Sequence, residues 1–253
     1  MKLSVVIPAH NEQGCIEETV VDLLNTLRSA SIGSEILIVN DHSTDSTENI
    51  LEKLSKNYAE VRFINNTYLN GFGNTVRLGL ENFTGDAVAI VMADGSDDPN
   101  DVVKFFHKLD EGYDCVFGSR FIKSGKTHGY PKFKLIVNRM TNLFISALFG
   151  MRYNDTTNAF KMYRRETIKT LAPLVSQYFN LTVELSLKAI IRGCSYAVLP
   201  NTWTNRKSGA SKLKLKKMGS CYLFTILYCF IEKWRVTLGR DSNRKKHIQV
   251  HRG

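Results

Sequence analysis

Short apolar runs alternate with helical repeats through the first half of the chain, and this alternation constrains the fold most strongly. Apolar runs occur at residues 3–7, 35–39, 61–64, 87–92 and 114–118. Between them apolar residues recur at helical spacing, as in Ile16, Val20, Leu23, Leu24 and Leu27. Because such runs are typical of strands buried on both faces, they predict an α/β domain with a mostly parallel central sheet flanked by helices.

Polar residues follow four of these predicted strands directly. They are His10, Asn11 and Glu12 after the first, residues 40–45 after the second, Asp94, Asp97 and Asp98 after the fourth, and Ser119 and Arg120 after the fifth. Each group alone is typical of ordinary turns and helix caps. Ligands bind beyond the carboxyl ends of parallel strands, so the four groups together predict one crevice.

The loop after the fourth strand is rich in aspartate. Carboxylates in a loop suit a hard divalent cation, Mg²⁺ or Mn²⁺, that shares its coordination with substrate phosphates. Asp98 precedes Pro99 and fits a helix N-cap, which leaves Asp94 and Asp97 as candidate metal ligands. The dinucleotide-binding, P-loop, nucleophile-elbow and zinc-protease motifs do not match this sequence.

Six short segments, in order over residues 4–213, resemble motifs of the family 2 glycosyltransferases. They are VVIPAHNE at 5–12, VNDHSTDST at 39–47, NGFGNTVRLG at 70–79, FGSR at 117–120, DTTNAFK at 155–161 and RKSGASKL at 206–213. The last segment is similar to that of the dolichol-phosphate mannosyltransferase-like branch, which acts on polyprenyl phosphates. The resemblance implies a GT-A fold, a nucleotide-diphosphate sugar as donor, a divalent metal and inversion at the anomeric carbon.

The resemblance also implies roles for individual residues. Those expected to bind the donor nucleotide are Pro8, Ala9, Asn11, Glu12, Asp41, Gly73 and Asp94. Asp94 matches the second acid of the family's D-x-D motif, whereas Met92 stands at the first acid position, and Asp97 is expected to assist with the metal. The expected catalytic residues are Asp94, Arg206 and Glu184, with Glu184 acting either as a base or as a partner that orients an arginine.

Cationic residues in or beside these segments favour a phosphate as acceptor. A phosphate monoester is already anionic at neutral pH, since its second pKa is near ~6, and it needs cations more than a base. The candidate acceptor-binding residues are Arg120, Arg139, Arg206, Ser211 and Lys212. A hydroxyl of a growing surface glycan is the alternative acceptor, and it would require a general base.

The positive charge lies in the C-terminal fifth of the chain. The net charge is +10, and residues 200–253 hold 13 Lys and Arg against two acids. Within this region residues 218–231 carry no charge. A helix of this length spans roughly 21 Å, less than the ~30 Å of a bilayer core, which predicts a helix lying in the membrane interface. A core helix or an oligomer contact is the alternative. Residues 135–151 are a second candidate for an interfacial helix or for a packing helix.

These features divide the chain into a catalytic domain at 1–213, an amphipathic interfacial or packing helix at 214–238 and a basic, disordered tail at 239–253. The opening apolar run is too short for a signal peptide. We therefore expect a cytoplasmic protein that binds peripherally to the membrane surface. A membrane-embedded subunit is a candidate partner.

Two other classes of protein compete with this interpretation. A nucleic-acid-binding protein would use the basic tail, but the sequence has no recognition-helix or RNA-binding signature, and no nucleic acid is expected as a partner. A non-catalytic nucleotide-sugar sensor is the second competitor, because Met92 interrupts the D-x-D motif.

Overall fold

The computed structural model describes residues 1–205 and 215–250, and a seven-stranded sheet forms the centre of this part of the chain. Its strands are β1 (Leu3–Ala9), β2 (Ser34–Asn40), β3 (Val61–Asn65), β4 (Ala87–Ile90), β5 (Cys115–Ser119), β7 (Lys161–Arg164) and β8 (Tyr196–Pro200). Their order is β3-β2-β1-β4-β7-β5-β8, and β7 alone runs antiparallel to its neighbours. The predicted α/β class with a mostly parallel sheet is confirmed.

Helices cover both faces of this sheet. They are α1 (Ile16–Ser29), α2 (Thr47–Asn57), α3 (Phe72–Asn82), α4 (Pro99–Asp110), α5 (Lys132–Phe149), α6 (Arg165–Leu171), α7 (Leu181–Ile191) and α8 (Leu215–Val250). Helices α1, α2 and α4 share one apolar core with the sheet, and α3, α6 and α7 share the other. A separate two-stranded ribbon pairs β6 (Lys126–His128) with β9 (Thr202–Thr204) in parallel.

The antiparallel strand β7, like β6, β8 and β9, was not predicted from the apolar pattern. It begins with Lys161, whose side chain is 1% exposed and whose ammonium donates to the backbone oxygens of Thr156, Asn158 and Thr182. Because three carbonyls satisfy the buried ammonium, a lysine occupies a core position in this strand.

Helix α8 has one buried and one exposed side. Ile226 and Cys229 pack in a third apolar cluster with residues of α5 and α7. The helix continues to Val250, although the sequence predicted a disordered tail from residue 239; lysine and arginine, which are frequent there, are good helix formers. Residues 251–253 lie outside the described residues. Across the part of the chain with described structure, no helix is both long and apolar enough to cross a membrane.

Candidate active site

A cleft of about 430 Å³ opens at the carboxyl edge of the sheet, beyond β1, β2 and β4. Of the residues assigned from the sequence, Pro8, Ala9, Glu12, Asp41, Asp94, Asp97 and Arg120 line this cleft. The structure therefore brings the polar ends of separate strands together around one space.

Asp41 is fixed at the end of β2 by the chain's own donors. Its carboxylate is buried and accepts hydrogen bonds from Asn66 Nδ2 at 2.7 Å and from the Gly71 backbone N–H at 3.1 Å. The Asp41 carbonyl oxygen lies 2.6 Å from His10 Nδ1. These contacts tie the first, second and glycine-rich segments together at one end of the cleft.

Asn11 lies beside the cleft without lining it. Its backbone has a φ of 53°, in the left-handed region that asparagine tolerates better than most residues. Its Oδ1 accepts a hydrogen bond from the Thr44 N–H at 2.7 Å, and its own N–H donates to Ser43 Oγ at 3.0 Å. Asn11 thus joins the first and second segments, and its assignment to nucleotide binding stays a prediction.

Gly73 also lies outside the lining of the cleft. Its N–H donates to the Gln177 carbonyl at 2.9 Å, and a Cβ at this position would lie 2.5 Å from the Ser176 carbonyl oxygen. A glycine is needed here because another backbone segment approaches closely. Its neighbours Gly71 and Phe72 line the cleft instead, so Gly73 supports the predicted nucleotide site from behind.

The loop after β4 carries the two candidate metal ligands. Asp94 and Asp97 are each 8% exposed and both line the cleft. Asp94 accepts a hydrogen bond from the Ser96 N–H at 3.1 Å, and Asp97 accepts one from the Met92 N–H at 2.9 Å. Burial raises the pKa of Asp97 to about 7, the Met92 N–H opposes this shift, and the Asp94 carboxylate adds to it.

The oxygen ligands in this loop fit a hard divalent cation. Among the side chains that the structure describes, at 1–205 and 219–238, no group of three or more His, Cys, Asp or Glu is arranged to hold a metal. Mg²⁺ is usually bound through one or two carboxylates together with substrate phosphates, and Asp94 and Asp97 provide that number. A cation held here would therefore depend on the donor's diphosphate for its remaining ligands.

Arg120 is held in the floor of the cleft by a buried ion pair. Its Nε and Nη2 donate to the two carboxylate oxygens of Asp155 at 2.8 and 2.7 Å, and the two side chains are 7% and 0% exposed. Burial disfavours the charge on Arg120, but the Asp155 carboxylate outweighs it and raises its pKa. The predicted phosphate ligand thus already binds an anion of its own chain.

Arg139 and Glu184, both assigned from the sequence, lie away from the cleft lining. Arg139 is exposed on α5 and stacks on Phe121, with its guanidinium 4.4 Å from the ring centroid. The Glu184 carboxylate is fully buried, accepts hydrogen bonds from the Val175 and Ser176 N–H groups and pairs with Lys188 at 3.1 Å. In the structure Glu184 anchors the loop before α7, and its assignment as a base or as an arginine's partner stays a prediction. Arg206, Ser211 and Lys212 lie outside the described residues.

Several residues that line the cleft were not predicted from the sequence. They are Tyr130, Lys134, Tyr178, Phe179 and Trp203 among others. Tyr130 and Trp203 pack with ring centroids 4.9 Å apart. The backbones of Trp203 and Asp97 pair in an isolated antiparallel β-bridge. Lys134 was hard to predict as a cleft residue, because it lies at the start of a largely apolar segment.

With the sheet, the cleft and the two carboxylates established, the molecule falls into the class of GT-A glycosyltransferases. The family model described as Glycosyl transferase family 2 matches residues 4–172, and the chain belongs to that family. It is a glycosyltransferase, as the family resemblance of its six segments implied.

Two curated relatives extend this similarity over most of the chain. Polyprenol monophosphomannose synthase of Mycolicibacterium smegmatis is 28% identical over 215 residues, which cover 83% of this chain and 80% of the relative. Dolichol-phosphate mannosyltransferase of Pyrococcus furiosus is 29% identical over 220 residues, covering 85% of this chain but 60% of the relative. The similarity to the dolichol-phosphate mannosyltransferase-like branch is thereby confirmed.

Solved structures show the same fold. Glucosyl-3-phosphoglycerate synthase from Mycobacterium tuberculosis, in complex with Mn²⁺, uridine diphosphate and phosphoglyceric acid, matches with a TM-score of 0.69 at 18% identity, over 90% of this chain and 78% of that chain. The same synthase with Mg²⁺ and uridine diphosphate gives a TM-score of 0.68 at 18% identity, over 90% and 79%. Divalent cations thus accompany nucleotides in proteins of this fold.

Proposed function

We propose that this chain transfers a sugar from a nucleotide-diphosphate sugar to a polyprenyl phosphate at a membrane surface, with inversion at the anomeric carbon. The two curated relatives, named for transfer of mannose to polyprenol and dolichol phosphates, support this substrate class. The observation that carries the proposal is the orientation of α5, which connects the cleft to an exposed apolar surface.

Helix α5 has polar residues on its inner side near the cleft and mostly apolar residues on its outer side, while Ile145 and Phe149 toward its C-terminal end pack in the core. Asn138 and Asn142 face inward and hydrogen-bond to Thr157 and Thr156, in the segment that lines the cleft. The outward apolar residues, each between 37% and 73% exposed, are Phe133, Ile136, Val137, Met140, Leu143 and Phe144. This is the reverse of a helix on a water-facing surface, and it fits a helix whose outer side contacts lipid.

Helix α8 adds a second apolar side beside the first. The exposed residues there are Leu223, Phe224, Leu227, Phe230, Ile231, Trp234 and Leu238. The two helices meet where Phe149 packs against Phe230, with centroids 6.0 Å apart, and where Lys233 Nζ donates to the Phe149 carbonyl at 2.9 Å. Because residues 200–253 carry 13 Lys and Arg against two acids, an anionic lipid surface fits better than a second copy of the same basic region.

Lys134 lies at the junction of the cleft and the apolar side of α5. Its side chain lines the cleft, and the next residues along the outer side begin the apolar stripe. An acceptor whose prenyl chain lies on that stripe would carry its phosphate toward this lysine. We assign Lys134 to the acceptor phosphate because its side chain lines the cleft where the apolar side of α5 begins.

The transfer itself needs little acid–base chemistry. An oxygen of the acceptor phosphate attacks the anomeric carbon from the side opposite the diphosphate, the bond from that carbon to the diphosphate oxygen breaks, and the nucleoside diphosphate leaves with the electron pair. Asp41 and the glycine-rich segment orient the nucleoside, and Asp94 and Asp97 face the diphosphate. A divalent cation held by those two carboxylates would stabilise the charge that develops on the leaving group.

The test compares two acceptors that differ only in the phosphate. Purified chain is incubated in detergent with labelled nucleotide sugars, Mg²⁺ and either a polyprenyl phosphate or the corresponding polyprenol. We expect a labelled glycolipid from the phosphate and none from the alcohol. Transfer to the alcohol, or no transfer to the phosphate, would contradict the proposal.

A further inference from the structure

A buried polar contact from α8 reaches the loop before α7. Thr225 of α8 is fully buried, and its Oγ1 accepts a hydrogen bond from Asn180 Nδ2 at 2.8 Å. The same oxygen lies 3.1 Å from Ser176 Oγ, so the two hydroxyls share a second hydrogen bond. Thr225 therefore holds the loop at residues 175–180 from the side away from the cleft.

The other side of this loop packs against the glycine-rich segment. The Gln177 carbonyl accepts the hydrogen bond from the Gly73 N–H, and there is no room for a Cβ on Gly73. The rings of Phe72 and Phe179 stack with centroids 4.1 Å apart and planes inclined by 11°. Contacts this close prevent the loop and the start of α3 from shifting independently.

These two segments form the wall of the cleft next to Asp41. Gly71, Tyr178 and Phe179 line the cleft, and the Gly71 N–H donates to the Asp41 carboxylate. A continuous set of contacts thus runs from Thr225 on α8 to the residue that we assign to the donor nucleoside. Hydrogen bonds and ring stacking join its segments, and the backbone connects the residues within each segment.

Apolar side chains surround Thr225 itself, although the interface of α8 with α7 also contains the Arg192–Glu232 ion pair. The nearby residues Ile226 and Cys229 pack in a cluster with Val183 and Leu187 of α7. Apolar packing alone tolerates small shifts of one helix along another, whereas a shift here would leave buried hydroxyl and amide groups without partners. The hydrogen bonds of Thr225 therefore select one position of the loop relative to α8.

We propose that Thr225 is a positioning residue for donor binding, which fixes the loop at 175–180 and through it the wall of the donor end of the cleft. The proposal rests on the proposed function, because it takes the Asp41 end of the cleft as the donor site. It gives α8 a role in shaping that site, in addition to its exposed apolar side.

The test uses valine and serine at this position and a matched control on the same helix. Thr225→Val removes both hydrogen bonds at nearly constant volume, Thr225→Ser keeps the hydroxyl, and Thr237→Val removes an exposed threonine whose hydroxyl bonds only within α8. Binding of GDP and of UDP to the full chain is measured by titration calorimetry with Mg²⁺. Melting temperature and vesicle flotation are recorded for each variant.

We expect Thr225→Val to bind about tenfold more weakly than wild type to whichever of GDP and UDP the wild type binds. A change of this size is within the usual range of coupling between sites. Thr225→Ser should stay within about twofold of wild type, since it retains the hydroxyl. In turnover assays KM for the donor should rise while KM for polyprenyl phosphate is unchanged. If the valine variant does not fold, Ser176→Ala removes the loop's hydroxyl and should weaken nucleotide binding in the same direction.

Nucleotide affinity equal to wild type in Thr225→Val, or in Ser176→Ala where valine is not tolerated, would overturn the proposal. Equal weakening by Thr237→Val would also overturn it, because the effect would then belong to α8 in general. Wild-type chain that binds neither GDP nor UDP would instead contradict the proposed function, and this proposal with it.

Discussion

The Asp97 carboxylate accepts a hydrogen bond from the backbone N–H of Met92, at 2.9 Å. This contact folds the loop after β4 so that a second carboxylate reaches the cleft beside Asp94, although residue 92 itself is a methionine. The family resemblance predicts an acid at position 92. The fold of the loop supplies one from position 97 instead.

Replacement of Asp94 is expected to remove transfer and leave the fold intact. Asp94→Asn takes away a negative charge facing the donor diphosphate, and loss of one such electrostatic contact lowers kcat by about 10²–10³. The measurement is turnover with saturating Mg²⁺, together with the melting temperature. Turnover equal to that of wild type would exclude Asp94 from the mechanism.

Asp97 is expected to make stability depend on pH when no metal is present. Its pKa is raised from 3.8 to about 7 by burial, so between these values the folded chain keeps a proton that the unfolded chain has released. The free energy of unfolding therefore falls as pH rises through this window. We expect a loss of roughly 2–3 kcal/mol between pH 5 and pH 8, relative to Asp97→Asn.

Urea unfolding in EDTA at the two pH values measures this difference. The asparagine variant keeps an acceptor for the Met92 N–H and has no charge to bury, so its stability provides the baseline. A constant difference between wild type and Asp97→Asn across the window would show that Asp97 ionises normally in the folded chain.

Replacing Arg120 and Arg139 compares the stability lost with a buried arginine and with an exposed one. Arg120→Met leaves the Asp155 carboxylate buried without its partner, and breaking such a pair costs about 3–5 kcal/mol. Arg139→Met removes an exposed guanidinium and should cost less than about 1 kcal/mol. Denaturant unfolding of both variants checks this order, and equal losses would contradict the buried pair.

The exposed apolar side of α8 is expected to hold the chain on anionic vesicles. Leu227 is 51% exposed, and burying such a side chain in lipid is worth about 1.5–3 kcal/mol, so Leu227→Glu should weaken vesicle binding by about tenfold or more. Leu69→Glu makes the same change at a leucine that is 77% exposed and lies outside α5 and α8. Flotation affected equally by both variants would show that the apolar side is not the contact surface.

A point substitution is a better probe of this surface than truncation. Deletion of residues 214–253 would also remove Ile226 and Cys229 from the apolar cluster that they form with α5 and α7. Loss of vesicle binding after truncation would then reflect a damaged core as well as a missing surface.

The sequence predicts those parts of the fold that depend on local patterns. The apolar runs at 3–7 and 35–39 form adjacent parallel strands. They could be predicted because a strand that is buried on both faces has no polar positions and therefore reads as a continuous apolar run. The residues after them, such as Asp41, reached the cleft because parallel strands end at one edge of the sheet. Their placement needed no knowledge of distant contacts.

Residues whose roles depend on distant contacts were predicted less well. Glu184 and Lys188 lie four residues apart on α7, a spacing that favours an ion pair on an exposed helix surface. The spacing gives no sign that both side chains are fully buried, or that Glu184 also accepts hydrogen bonds from the loop before the helix. Gly73 is a glycine because of the loop at 175–178, about a hundred residues later in the chain. Lys134 reaches the cleft because Asn138 and Asn142 turn the polar side of α5 inward.

Transfer of a sugar from a nucleotide-diphosphate sugar to a polyprenyl phosphate can be tested directly in one assay. Labelled GDP-mannose, UDP-glucose and UDP-GlcNAc are each incubated with polyprenyl phosphate in detergent, with Mg²⁺ or Mn²⁺ and with EDTA, and the extracted lipid is analysed by mass spectrometry. We expect a glycosyl phosphate lipid from one donor, formed with metal and lost in EDTA. Absence of that lipid with every donor, from a folded chain that binds a nucleotide, would contradict the proposed transfer.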